Sequence, residues 1–418
     1  LRHAPELASY IGLLVFDEGH QFDNGSRGIT YELLLTSLQS MITKEVQKVL
    51  ISAVISNAET VGEWLNGEPN VVEGTSLIPT LRSVGFASWL DRLGRIEYVD
   101  SQDPEQGEFF VPRVIESYNL GRKKRERKDR FFPDKSDGHS IALYLGLKLI
   151  ANGSIAIFCG RKDTAASICD KIVDYIERGI PYNSPDKYSD KREVERLAHL
   201  YNLNLGEDAS ATQSARFGVL SHHGNIPHGI RLAVENAMRD DLIRFVVCTS
   251  TLAQGVNLPI RYLIVTSVYQ GQDPIKVRDF HNLIGRAGRS GMHTEGSILF
   301  ADTKIYDERK VLAEKWRWEQ MKMFLDPGNS EPCISTLLSI FEPIKSDDDK
   351  YSIQMDSLDF VKFFLEDPEE ISNWTAKIAD KHKDHRFTKD GVNKQIAEKI
   401  YLISSIESFL LSQWDEME

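Results

Sequence analysis

Asn282-Leu283-Ile284-Gly285-Arg286-Ala287-Gly288-Arg289 places two arginines three residues apart, each preceded or followed closely by a glycine. On a helix that spacing puts both guanidinium groups on one face, and Gly285 and Gly288 allow an opposing surface to come close. Such a pair suits the charge that builds on a transferring phosphoryl group, where a late-arriving cation is worth roughly 10³ to 10⁵ in rate. Two solvated helix arginines are the plain alternative while the octet stands alone. Working outward, the run Thr249 to Pro259 follows the apolar stretch Phe245 to Cys248. Its hydroxyls on Thr249 and Ser250 fall where a strand gives way to a helix, a position suited to a nucleic-acid phosphate. Gly255 and Asn257 fall towards the nucleotide side.

Far upstream, the apolar run Ile11 to Phe16 ends in Asp17-Glu18-Gly19-His20. A strand ending in two carboxylates delivers them to the carboxyl edge of a parallel sheet, where ligands bind in such folds. Asp17 is placed to hold Mg²⁺ through water, and Glu18 to orient and deprotonate an attacking water. Taken alone, the same four residues also read as an acidic strand end. The pair His222-His223 invites a metal, but neighbours in a strand point to opposite faces and no carboxylate cluster accompanies them, so no metal is assigned there.

The 418 residues, 41% of them apolar, suffice for two or three domains with full cores. A net charge of −12 excludes a protein that coats nucleic acid through bulk charge. Four widely spaced cysteines fit a reduced, cytoplasmic protein without a zinc pattern. No apolar run approaches the roughly 18 residues of a membrane span, and the start lacks a secretory signal. The beginning, close upstream of a motif and without methionine, is expected to belong to a longer chain.

Alternating strand-like and helical runs from Ile11 to about Tyr98 predict half an α/β layer. The stretch Asp100 to Asp137 contains Pro104, Gly107, Pro112, Pro133 and the basic run Arg122 to Arg130, and reads as a solvated connection. A second α/β unit opens with a helix over His139 to Ala151, and its strands are expected at Ile155–Cys159, Phe217–Leu220, Phe245–Cys248, Tyr262–Thr266 and Ile298–Phe300. Beyond Asp302 the periodicity turns helical.

These motifs, in this order, resemble those of the DExH-box superfamily 2 helicases, with greatest similarity to the Ski-type branch. The match runs through Asp17 to His20, Ser52-Ala53-Val54, Phe158 to Lys162, Leu220 to Gly224, Thr249 to Pro259 and Asn282 to Arg289. The resemblance implies RecA-like parallel-sheet motor domains, one partial (1–99) and one complete (138–302). A linker (100–137) joins them, and a mainly helical accessory region (303–418) of winged-helix or bundle type follows. It implies an ATP- and Mg²⁺-dependent 3′-to-5′ helicase or translocase on single-stranded or tailed duplex nucleic acid, DNA being placed ahead of RNA. Asp17, Glu18, His20, Arg286 and Arg289 would be catalytic. Asp17, Glu18, Gly255, Asn257, Arg286 and Arg289 would hold the nucleotide, and Arg161, His222, Thr249 and Ser250 the strand. The family's threonine of the third motif is Val54 here, its glutamine before the arginines is Asn282, and its phosphate loop does not occur in this sequence. The resemblance therefore implies that the rest of the first motor domain is supplied by further sequence or another polypeptide. A helicase-like nucleic-acid-binding scaffold that has lost hydrolysis is the alternative. The glycine in Asp-Glu-Gly-His also resembles anti-phage defence helicases of the Hachiman type, which implies a nuclease partner. A short hairpin between Val268 and Asp279 is a further expectation from the family.

Overall fold

Strand Leu13–Phe16 (β1) lies parallel to Gln47–Leu50 (β2), in the register Leu13 to Gln47 through Phe16 to Leu50. The computed structural model that shows this describes residues 5–42, 45–74, 81–90, 92–124, 126–250, 258–270, 273–288, 295–354, 368–382 and 386–414. Its contacts divide the chain into two compact units, one formed by Leu1–Val71 with Pro332–Glu418 and the other by Val72–Glu331.

In the first unit, helices Gly25–Met41 (α1) and Ala58–Asn66 (α2) accompany β1 and β2. Phe16, Phe22, Leu35, Val61, Leu65 and Cys333 form their common core. The later segment is tied in through polar pairs. The Asn57 side chain both donates to the Cys333 carbonyl (2.9 Å) and accepts from its N–H (2.8 Å), and the Ser335 hydroxyl donates to Glu32. Helices Pro368–Lys381 and Lys389–Trp414 pack together, with Ile344, Phe387, Val392 and Ile396 buried beside them. One face of the β1–β2 pair stays bare. Leu13, Val15, Val49 and Ile51 are exposed, whereas parallel strands ordinarily have both faces covered.

The second unit is built on eight strands. In chain order they are Leu81–Ser88 (β3), Gly94–Val99 (β4), Gly107–Ile115 (β5), Ile155–Phe158 (β8), Leu220–His222 (β9), Phe245–Cys248 (β10), Tyr262–Val265 (β11) and Glu295–Phe300 (β14). Two short ladders make up the numbering: Tyr118–Asn119 (β6) with Phe131–Phe132 (β7), and Tyr269–Gln270 (β12) with Asp273–Pro274 (β13). The spatial order is β5-β4-β3-β14-β11-β8-β10-β9, with the β3–β4 and β4–β5 pairs antiparallel and all others parallel. The α/β parallel-sheet class expected from the sequence is present. Side chains alternate between two buried faces, as a two-residue period requires: Ala156 and Phe158 lie in one core, Ile155 and Ile157 in the other. Helices Gly138–Leu149 (α3) and Lys162–Glu177 (α4) cover the second face, and Lys191–Leu205 (α5), Ser210–Ala215 (α6), His228–Arg239 (α7), Val277–Ile284 (α8), Thr303–Asp307 (α9) and Trp316–Leu325 (α10) follow in the chain. In α4, Ala165, Ile168, Cys169, Ile172 and Tyr175 form the buried stripe. Asp137 caps α3, accepting from the His139 N–H at 3.0 Å.

Several boundaries differ from the sequence reading. The strand expected at Phe217–Leu220 starts at Leu220, because Gly218, at φ 75°, first turns the chain. The stretch read as a connection holds β5, whose Pro112 is tolerated because this strand is the sheet's edge and pairs only with β4. The basic run is docked and not merely solvated. Lys123 pairs with Asp174 (2.7 Å) and Glu177 (3.1 Å) of α4, and Glu126 receives the well-buried Arg178. Arg178 holds the Glu126 carboxyl down at about 2. Residues 72–99 pack with the second unit, as do 303–331, while 332–418 pack with the first. Among the described residues no helix is long and apolar enough to cross a membrane.

Candidate nucleotide and nucleic-acid sites

Asp17 follows β1 directly and is exposed at its carboxyl end. Glu18 takes the left-handed conformation (φ 56°, ψ 43°), which is uncommon for a residue with a Cβ, and its N–H donates to Asp17 Oδ1 at 2.8 Å. The turn carries the chain back towards β2: the Gly19 N–H reaches the Ile51 carbonyl at 2.8 Å. His20, 6% exposed, then bridges two loops. Its Nδ1 accepts the Ala53 N–H at 3.3 Å, with Ser52 Oγ at 3.5 Å, and its Nε2 lies 3.2 Å from Glu18 Oε2. Since a backbone N–H can only donate, Nδ1 carries the lone pair and the proton sits on Nε2, facing the carboxylate. Tyr31 donates to the Asp17 carbonyl at 2.7 Å. Burial first, then the Asp17 and Glu18 charges, push its hydroxyl up to about 12, so it remains a donor.

In the second unit, Asn282 lies on helix Val277–Ile284 (α8), but Arg286 does not. The helix ends before Gly285, and Arg286 sits in a tight turn with its N–H on the Leu283 carbonyl at 3.1 Å. Arg286 is therefore in a turn and not on the helix expected for it. Gly288 explains it: at φ 66° its N–H meets the Ile260 carbonyl (2.9 Å), and a Cβ there would lie 2.4 Å from the Gly296 nitrogen. The close approach that Gly288 permits is to β14 of its own unit. Gly288→Ala should cost about 2 kcal/mol or more, since left-handed strain and a backbone clash add. Urea unfolding measures it, and a midpoint equal to that of the parent protein would refute this account of the turn. Arg286 is 5% exposed, and Arg82 of β3 donates to the Gly285 carbonyl beside it at 3.3 Å. Arg289, Gly255 and Asn257 lie outside the described residues.

Arg161, His222, Thr249 and Ser250 gather at the carboxyl ends of the neighbouring strands β8, β9 and β10. The Thr249 N–H donates to the His222 carbonyl at 3.2 Å. Arg161 is exposed at the start of α4, where unpaired amides favour an anion. The His222 ring, by contrast, points inward: it is 1% exposed, with Nε2 2.6 Å from Glu235. It can shape this edge but does not present its ring to a strand. The hairpin expected after β11 is present as β12 and β13.

Residues 188–291 match the family described as "Helicase conserved C-terminal domain". Three curated relatives agree with it. The chain is 29% identical over 383 residues to Hachiman protein HamB of Bacillus cereus, covering 90% of this chain and 33% of that protein. It is 30% identical over 304 residues to Helicase POLQ-like of Homo sapiens, covering 72% and 25%. It is 27% identical over 311 residues to ATP-dependent DNA helicase Hel308 of Methanococcus vannielii, covering 73% and 37%. The chain belongs to the superfamily 2 helicases. It spans a quarter to a little over a third of the length of these relatives.

For a superfamily 2 helicase, the Asp17–Glu18 pair passes a chemical test for Mg²⁺ with a nucleotide. Both donors are oxygens at an open strand end, and Mg²⁺ is typically held by one or two carboxylates with substrate phosphates completing its shell. Among the described residues no larger set of His, Cys, Asp or Glu competes for a metal. Sequence reasoning missed the Ala53–His20–Glu18 bridge, the Glu235 partner of His222, and Glu331, whose carboxylate accepts from the Val277 and Arg278 N–H groups that open α8. Only Glu235 left a trace, as a lone carboxylate on an otherwise amphipathic helix, His228–Arg239 (α7).

Burial, the leading cause in each case, pushes the imidazoles of His139, His222, His223 and His281 below the usual 6.5. These rings stay neutral in the folded helicase while the unfolded chain takes up protons, so stability is present above about pH 6.5 and falls as pH drops from there. The unfolding midpoint in urea should be lower at pH 5.5 than at 7.5. An unchanged midpoint would show that the four rings gain compensating charge on protonation.

Proposed function

We propose that this chain is the nucleotide-hydrolysing and strand-gripping part of an ATP-driven helicase or translocase that moves 3′ to 5′ on nucleic acid, with DNA as the first candidate track. The observation that carries the reading is the Glu18–His20–Ala53 connection. It fixes a carboxylate beside Asp17 and ties it to the loop after β2. Asp17 would hold a Mg²⁺ that arrives with ATP and would neutralise phosphate charge, Glu18 would orient the attacking water and take its proton, and the His20 Nε2–H keeps Glu18 in place. Arg286 and Arg289 meet the charge developing on the transferred phosphoryl group, with Gly255 and Asn257 on the nucleotide side. Thr249, Ser250 and Arg161 take strand phosphates along one sheet edge, where His222 acts by position.

The bare face of β1 and β2 supports a further proposal: it is covered by the strands that carry the phosphate loop, supplied by additional sequence or a second polypeptide. The kinship with HamB supports a setting in anti-phage defence beside a nuclease partner. ATP hydrolysis by the full protein, with and without single-stranded DNA or RNA, tests the reading. Stimulation by one polymer names the track. No hydrolysis in the presence of bound nucleic acid would replace the motor with a binding scaffold.

A further inference from the structure

A cavity of about 190 Å³ opens at the carboxyl ends of β11 and β14, beside helix Trp316–Leu325 (α10). Ser267, Tyr269, Phe300, Asp302, Trp316 and Gln320 are among its walls. A cavity of roughly 150 Å³ suffices for benzene, so this one has room for a single heterocycle. Its chemistry is that of a base pocket, with aromatic and aliphatic surface inside and a hydroxyl, a carboxylate and an amide to meet polar ring edges. Tyr269 belongs to β12 and its hydroxyl donates to Gln320 Oε1 at 2.8 Å, so the pocket lies at the root of the β12–β13 hairpin. Trp316 is 49% exposed at the cavity, and the Arg317 guanidinium lies 4.7 Å from its ring centroid. An open indole is a stacking platform for a base, and Arg317, the ring's other neighbour, is held by Glu314 at 3.0 Å.

We propose that this pocket receives one unstacked nucleobase of the bound strand, with Trp316 as the stacking surface. The proposal rests on the nucleic-acid reading above, since the pocket opens at the same carboxyl edge of the parallel sheet as Arg161, Thr249 and Ser250. A captured base would give the motor a foothold that is independent of sequence, because every base has a π-face.

The test is the affinity of the full protein for a tailed DNA duplex in which one nucleotide at a time, across the junction and into the tail, is made abasic. Fluorescence anisotropy gives each dissociation constant. One position should weaken binding about tenfold, within the range for loss of a single base–aromatic stack. In Trp316→Ala the intact duplex should bind about tenfold more weakly, and the abasic penalty at that position should vanish. Trp316→Phe should restore most of both, which separates stacking from damage to the fold. Equal penalties at every position, or a position-specific penalty that survives Trp316→Ala, would overturn the pocket while leaving nucleic-acid binding in place. Failure of the intact duplex and its single strands to bind would remove the pocket together with the reading beneath it.

Discussion

Glu18→Gln should lower ATP turnover by about 10² to 10⁴, the span typical for loss of a general base, while nucleic-acid binding should persist. The glutamine keeps an oxygen that can accept from His20 Nε2, which now lies 3.2 Å from Glu18 Oε2, so the bridge to Ala53 survives and only proton uptake is lost. The left-handed backbone at residue 18 is unaltered by the change, which makes a folding defect a poor explanation of lost activity. Steady-state hydrolysis alongside strand binding measures both quantities. Turnover within threefold of the parent protein would remove Glu18 from the proton path.

Arg286→Ala should produce a loss of similar or greater size, about 10³ to 10⁵ in kcat, as expected for a cation that acts only on developing charge. Lysine should recover little, since a point charge does not reproduce a planar fork of donors. The effect belongs in kcat and not in KM; a raised KM at constant kcat would reassign Arg286 to ground-state binding. Because Arg286 is 5% exposed, an unfolding curve must accompany the kinetics.

Local signals carried much of the architecture. Phe245–Cys248 was readable to the residue because four consecutive apolar side chains bounded by polar ones fit a strand buried on both faces. Asp17 to His20 was readable because the carboxylates follow an apolar run at once. What stayed hidden depends on distant partners. Nothing near Val277 announces that Glu331, 54 residues on, will satisfy the first amide of α8. Pro112 signals a break equally well for a linker and for an edge strand, and only the pairing with β4 decides between them. Arg286 shows the opposite failure. Its spacing to Arg289 suggested a helix, but α8 ends at Ile284 and the chain then turns, with Gly288 at φ 66° against Gly296. The division of the chain was hidden too, because residues 303–331 and 332–418 share a helical periodicity yet join different units.

The double hydrogen bond between Asn57 and Cys333 joins residues 276 positions apart. During synthesis at roughly 5 to 20 residues per second, Asn57 therefore waits on the order of tens of seconds for its partner. All of Val72–Glu331 leaves the ribosome in that interval and contains its own sheet and both of its cores. That middle unit can therefore fold before the other is complete, while Phe22 and Leu35 have Phe16, Val61 and Leu65 beside them and lack only the cover that Cys333 adds. The loop bearing Asp17 and Glu18, whose Gly19 and Phe22 carbonyls meet Cys333 and Thr336, thus acquires its last contacts only after Val72–Glu331 has left the ribosome.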